Sequence, residues 1–199
     1  MEYPYLIGVD EVGRGPVAGP VYVCALFISS ENSRKIIEEN NKLPLRDSKK
    51  LTEKMRNSWF EKIKSYADSG MIKYVISKAS SKEIDEKGIA TCIKACVNNS
   101  VEKLNPGKDT KVFLDGGLFT KDNFIQETVI KGDENIPVIS LASIVAKVSR
   151  DEEMKKIAKE YPEFLLEKNK GYGTKDHLDA IKKYGLTNIH RKSFLKSYI

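Results

Sequence analysis

Apolar residues follow two rhythms along the chain. Tyr5-Leu6-Ile7-Gly8-Val9 and Tyr22-Val23-Cys24-Ala25-Leu26-Phe27-Ile28 are short unbroken runs with the length and make-up of buried strands. Asp10-Glu11 and a glycine-rich stretch separate them, which predicts two neighbouring strands paired antiparallel. Residues 71–77, rich in Ile, Val and Tyr, read as a third strand. A helical rhythm then takes over. Thr52 stands where an N-cap belongs and Gly70 where a helix must stop, which predicts a helix over 53–69. Residues 81–87 and 89–104 continue the helical pattern until Asn105-Pro106-Gly107. Residues 111–115 form an apolar strand cut off by Gly116-Gly117, and 126–130 another; Pro137 opens a long helix to about 160. Thr174 caps a last helix over 175–184, closed by Gly185. Strands first and alternating helix and strand afterwards predict a mixed α/β layer fold with a helical C-terminal part.

Composition narrows the class without changing that picture. Hydrophobic residues at 40% and charged residues at 31% of 199 exclude a disordered or collagen-like chain and suit one domain with its own core, residues 1–199. The longest apolar stretch, 17–28, is interrupted by Gly19 and Pro20, too short and too broken for a spanning helix. No basic n-region precedes it, so the expectation is a soluble, cytoplasmic protein with no membrane partner. Of three cysteines, Cys92 and Cys96 lie one helical turn apart on an apolar stripe, with only two histidines in the chain, so buried thiols are expected rather than zinc.

Charge adds a partner. From Lys147 onward the chain holds 13 Lys and Arg against 8 Asp and Glu, whereas the residues before it hold 21 against 20. The basic excess sits in the C-terminal quarter, and only six of the 34 cations are Arg. Lysines contact phosphates as point charges and read base edges poorly, so the charge suits a polyanion bound without regard to sequence, and on charge alone it suits a merely solubilising surface equally. Residues 161–199 are read as the basic, substrate-binding part.

Two predicted strands run into acids just before glycines: Val9-Asp10-Glu11 ahead of Gly13, and Leu114-Asp115 ahead of Gly116. One such Asp is ordinarily a turn-former. Two strand ends carrying acids, one of them doubled, suggest oxygen ligands for a hard divalent cation, because half-buried carboxylates are costly unless something compensates them.

The stretch Asp10-Glu11-Val12-Gly13-Arg14-Gly15-Pro16-Val17-Ala18-Gly19-Pro20 resembles the signature of the ribonuclease HII family, the type 2 ribonucleases H. Further blocks agree in the same order: Asp47-Ser48-Lys49-Lys50-Leu51, Leu114-Asp115-Gly116, Lys131-Gly132-Asp133, 142–151, Lys170-Gly171-Tyr172-Gly173-Thr174 and His190-Arg191-Lys192-Ser193-Phe194. The resemblance implies a ribonuclease H-like fold and a four-carboxylate site of Asp10, Glu11, Asp115 and Asp133 holding two divalent ions, Mg²⁺ or Mn²⁺. Asp133 rests on that match, since by itself it reads equally as the cap region of the helix at Pro137, with Glu134 and Asp151 as rivals.

The same resemblance implies an endonuclease that hydrolyses the RNA strand of RNA/DNA hybrids and cuts 5′ of single ribonucleotides in duplex DNA, leaving 3′-OH and 5′-phosphate, in ribonucleotide and primer removal. It gives Gly13, Arg14, Gly15 and Tyr172 the reading of the ribose 2′-OH; taken singly the first three are a plain turn and Tyr172 a structural residue. Phosphate contacts fall to Lys49, Lys50, Ser143, Lys147, Thr174 and Arg191, while His177 and His190 read as structural. A monomer is expected, and a sliding clamp is left open as partner. Ribonuclease HIII shares the acids but carries an N-terminal substrate-binding domain, whereas here the first motif begins at Tyr5; a non-catalytic nucleic-acid module is the rival from another class. The chain departs from the family at Leu141, where a small residue is usual, and at Phe164-Leu165-Leu166, which stands for a Tyr-Gly-Phe-like stretch before Tyr172.

Overall fold

The computed structural model describes residues 3–40, 51–196 and 198. Its centre is a five-stranded sheet in the order β3-β2-β1-β4-β5, built from β1 (Tyr5–Val12), β2 (Val21–Ser29), β3 (Ile72–Ala79), β4 (Thr110–Asp115) and β5 (Ile125–Val129). β1, β2 and β3 form an antiparallel meander, as expected of the first two runs, while β4 pairs parallel to β1 and β5 parallel to β4. β1 runs three residues further than its apolar run, because Asp10, Glu11 and Val12 pair with Cys24, Val23 and Tyr22. The acids therefore belong to the strand, and its alternation sends Asp10 and Glu11 to opposite faces.

Helices cover both faces. Ile7, Val9, Val23 and Ala25 pack against Ile93, Cys96 and Val97 of α4 (Ile89–Leu104). Cys24, Leu26 and Ile28 pack beneath α6 (Pro137–Glu160), with Trp59 and Ile63 of α2 (Glu53–Asp68) alongside. The first half of α6 is buried on every side, from Val138 to Ala146, because it lies between the sheet and α2 rather than at the surface. It crosses β1 so closely that a Cβ on Gly8 would overlap the carbonyl group of Val138. Leu141 is part of this core. The three cysteines are free and buried.

Two elements escape the apolar rhythm, α1 (Ser30–Glu39), which starts flush with the end of β2 on the Ser29 cap, and α5 (Gly132–Asn135) between β5 and α6, whereas α3 (Ser81–Lys87) lies where the pattern puts it. Beyond α6 the chain makes a 3-10 turn (Pro162–Phe164), α7 (Leu166–Asn169), α8 (Lys175–Tyr184) and a second 3-10 turn (Lys192–Phe194). This helical region has its own apolar cluster, in which Phe164, Leu166 and Ile181 meet Met154 of α6 and Val17 and Ala18 of the loop after β1.

Candidate active site

Asp10 is on the α6 side of β1, Asp115 ends the neighbouring parallel strand, and Asp133 lies in α5, where the chain turns from β5 into α6. Among the described residues these three form the acidic group able to hold a metal, one carboxylate oxygen from each lying within 4.8 Å of the others. The protein holds them in place from behind. The Asp115 carboxylate accepts the Gly132 N–H at 2.7 Å and the Asp133 N–H at 3.4 Å, so β4 and α5 share a hinge pin. Ser140 Oγ donates to the Asp133 carbonyl at 2.6 Å, tying α5 to α6. The cap of α6 is Ile136, which removes Asp133 from the cap role open to it in sequence.

Asp10 is only 5% exposed, and burial pushes its carboxyl up to about 8, a hydrogen bond from Ser143 opposing and the charges of Glu11 and Asp115 adding to the rise. A carboxyl so raised, with two more beside it, needs a cation to be charged at neutral pH, and three oxygen donors suit a hard divalent ion. The site fits Mg²⁺ or Mn²⁺. Glu11 stands apart from the three: it is on the other face of β1, and its carboxylate lies 3.7 Å from Arg14.

Ser143, read in sequence as a phosphate contact, is buried against Asp10 instead. Lys147, one turn on, pairs with Asp151 at 2.9 Å, which accounts for Asp151 without a metal role. Lys49 and Lys50 lie outside the described residues. Thr174 is exposed and caps α8, its hydroxyl accepting the His177 N–H.

Beside the acids runs the loop from Gly13 to Pro20, clasped from two sides. Arg150 of α6 donates to the carbonyls of Pro20 (2.9 Å) and Ala18 (3.4 Å). Arg191 donates to Gly19 (2.9 Å), Arg14 (3.0 Å) and Gly13 (2.7 Å). Both guanidiniums are fully buried, so the expected phosphate role of Arg191 gives way to that of a brace. Burial, reinforced by the charge of Arg150, lowers Arg191 to about 9, which leaves it charged at neutral pH. Gly13 has φ of 89°, and a Cβ there would overlap Arg150 Nε, so the loop's tight fit over the arginine requires glycine. The backbone of Val17 and Ala18 is bonded in turn to the Gly171 carbonyl. That contact brings Tyr172 to the loop: the residue is 46% exposed, and a Cβ on Gly15 would lie 3.9 Å from its Cε1. The arginine braces are missing from the sequence reading because charged residues are expected outside; the available signal was two arginines, in a lysine-rich chain, inside family-like blocks.

The sequence profile described as Ribonuclease HII matches residues 7–197. The chain belongs to the ribonuclease HII family. Ribonuclease HII of Clostridium perfringens (strain SM101 / Type A) is 48% identical over 203 residues, which span 100% of this chain and 69% of that protein. The ribonuclease H2 crystal structure from Pyrococcus horikoshii OT3 superposes with a TM-score of 0.73 at 27% identity, over 98% of this chain and 96% of that one. Ribonuclease HII from Archaeoglobus fulgidus, determined as a complex with PCNA, gives a TM-score of 0.74 at 24% identity over 94% and 93% of the two chains, a likeness of fold. The mixed sheet with flanking helices is thus a ribonuclease H-like fold, and the chain is an endoribonuclease, a divalent-metal-dependent hydrolase of the RNA in RNA/DNA hybrids. Among the described residues no helix is long and apolar enough to cross a membrane.

Proposed function

We propose that this ribonuclease HII cuts on the 5′ side of single ribonucleotides embedded in duplex DNA as well as within hybrids, leaving 3′-OH and 5′-phosphate ends, and so serves ribonucleotide and RNA-primer removal. The observation that carries this reading is the apposition of the Tyr172 ring to Gly15, in the loop that follows the strand bearing Asp10. Arg191 takes up the carbonyls of Gly13 and Arg14 from the protein side, so the peptide edge opposite them is left to the substrate. A ribose 2′-OH, donor and acceptor at once, matches such an edge together with a phenol. Asp10, Asp115 and Asp133 would hold the divalent ions, two in number, Mg²⁺ or Mn²⁺, with Glu11 as the fourth acid. When bound, the ions supply an activated water and neutralise charge on the phosphate under attack. The chain's own contribution is placement: Ser143 and the Gly132 N–H fix the carboxylates, Arg14, Lys147 and Thr174 meet the backbone phosphates, and Lys49 and Lys50 are proposed for the same role. We take the protein as a monomer, and a sliding clamp, the partner of the Archaeoglobus relative, as the first protein partner to test.

The deciding experiment is cleavage of a duplex with one embedded ribonucleotide against an all-RNA/DNA hybrid, with Mg²⁺ and with Mn²⁺. Both should be cut, the first at the 5′ side of the ribonucleotide; cleavage of the hybrid alone overturns the proposal. Tyr172→Phe should keep duplex affinity and part of the rate, since the ring still stacks, whereas Tyr172→Ala should lose on the order of tenfold or more in kcat at one ribonucleotide, a buried hydrogen bond and a stacking contact being worth ~1–3 kcal/mol together. Wild-type turnover in Tyr172→Ala removes the tyrosine from the reading. Affinity should fall steeply with salt and vary little with sequence. Lys147→Ala should weaken every duplex alike and reduce the salt slope by about 1, as one phosphate contact does, and a sequence-dependent loss would contradict a backbone contact.

A further inference from the structure

Behind Tyr172 lie two histidines that the metal site does not use. His177, in the first turn of α8, and His190, just before Arg191, are 0% and 1% exposed, and their Nε2 atoms face each other at 3.3 Å. The other nitrogens settle which atom carries each proton. His190 Nδ1 receives the Thr187 backbone N–H at 3.1 Å; an amide can only donate, so this nitrogen bears a lone pair and the ring proton is on Nε2. His177 Nε2 must therefore accept, which puts its proton on Nδ1, and Nδ1 lies 2.9 Å from the Tyr172 carbonyl, a group that can only accept. Both ends of the chain of bonds agree on one polarity, running from Thr187 to Tyr172.

The Tyr172 carbonyl also accepts the Thr174 N–H at 2.8 Å, so the peptide after the tyrosine is held by two donors. Phe164 packs edge-on against both rings, at 4.7 Å from His190 and 6.0 Å from His177; this is the aromatic that stands in the chain's departure from the family pattern. The charged neighbour in sequence, Arg191, turns its guanidinium away to the Gly13–Gly19 carbonyls. Burial lowers both rings, and for His190, pushed to about 4, the partner ring adds to the effect; on His177 the Tyr172 carbonyl opposes it. A proton added to His177 Nε2 would set N–H against N–H at 3.3 Å, whereas one added to His190 Nδ1 would face the Thr187 N–H with the Thr187 hydroxyl, 3.1 Å away, to accept it.

We propose that His177 and His190 are positioning residues for Tyr172, a hydrogen-bonded pair with one tautomer each that fixes the peptide carrying the tyrosine over the Gly13–Gly15 loop. The inference rests on the reading of Tyr172 as a substrate contact, and its test separates the two. On the RNA/DNA hybrid, His177→Leu should lower kcat by about tenfold with KM changed less than about twofold, since a displaced contact near the reacting bond costs turnover while phosphate contacts still hold the duplex. His177→Asn, whose amide can donate near the place of Nδ1, should restore most of the loss. In a Tyr172→Ala background His177→Leu should have no further effect. Nitrogen-15 NMR of the wild-type imidazoles, a readout independent of activity, should show His177 protonated on Nδ1 and His190 on Nε2, both neutral, from pH 8 down to pH 6. Opposite tautomers, a charged ring at pH 6, a failure of Asn to restore the rate, or an undiminished effect of Leu beside Tyr172→Ala would overturn the proposal. If Tyr172→Ala lowers the rate and His177→Leu does not, the pair's role fails and the tyrosine's stands; if Tyr172→Ala has no effect, both fall.

Discussion

Asp115→Asn, and likewise Asp10→Asn, should reduce cleavage of an RNA/DNA hybrid by at least ~10³-fold at saturating Mg²⁺, roughly 4 kcal/mol of transition-state stabilisation, while leaving duplex binding measurable. The two variants part company in stability. Asp10 is buried with its carboxyl raised to about 8, against an unfolded value near 3.8. Between those pH values the folded chain keeps a proton that the unfolded chain has lost, so without metal the contribution of Asp10 is present at low pH and is lost as pH rises toward 8. Asn carries no such penalty. Chelated Asp10→Asn should therefore melt above chelated wild type at pH 8 by more than at pH 5, on the order of 2–4 °C for each kcal/mol relieved. Adding Mg²⁺ or Mn²⁺ should raise the wild-type melting temperature and shift Asp10→Asn much less, because binding to the folded state stabilises by mass action. Full turnover in either variant would remove the aspartates from the site.

Arg191→Met should be the most destabilising substitution outside the apolar core. Methionine fills similar space but leaves the carbonyls of Gly13, Arg14 and Gly19 without their donor, at ~1–3 kcal/mol for each buried group that water cannot reach. Relief of the charge's own burial offsets part of this, and a net loss of about 3–5 kcal/mol is expected, the range seen when one partner of a buried charged network is removed. Arg191→Lys can serve one or two of the three carbonyls and should fall between. Below its melting temperature the Met variant should still bind metal, read as thermal stabilisation by Mn²⁺, yet cut poorly, because the loop and not the carboxylates has lost its shape. A variant that melts with wild type would show that the carbonyls do not depend on the guanidinium.

Helices 89–104, 137–160 and 175–184 were legible to the residue, since each boundary is a local event: Pro137 and Thr174 open helices, while Asn105 and Gly185 end them. α1 was not, because Ser29 caps it at the last residue of β2 and no turn residue intervenes. Strand-end acids at Asp10 and Asp115 announced oxygen-ligand chemistry, but Asp133 became credible only through family resemblance. Its place depends on a four-residue helix and on bonds from α5 to Asp115, neither of which has a periodic signature. The opposite fates of Ser143 and Lys147, one against Asp10 and the other against Asp151, show the limit of assigning a shared helix face from i,i+4 spacing alone. The brace roles of Arg150 and Arg191 were not legible because polar groups inside a protein are defined by their partners, here about 130 and 170 residues away in the chain, as for Arg150 to Pro20 and Arg191 to Gly19.

Those separations set an order of events during synthesis. β1, β2 and β3 can pair from neighbouring sequence, but Val9 meets Leu114 only after more than a hundred residues have been made, and Gly13 meets Arg191 178 positions after itself. Closing such loops is slow and entropically unfavourable until the distant contacts form. A nascent chain can thus acquire its meander, then its carboxylates, and shape the loop from Gly13 to Pro20 last. Chains stopped just short of residue 191 would carry the acids with the loop clasped from the Arg150 side alone, so such truncation products should cut poorly.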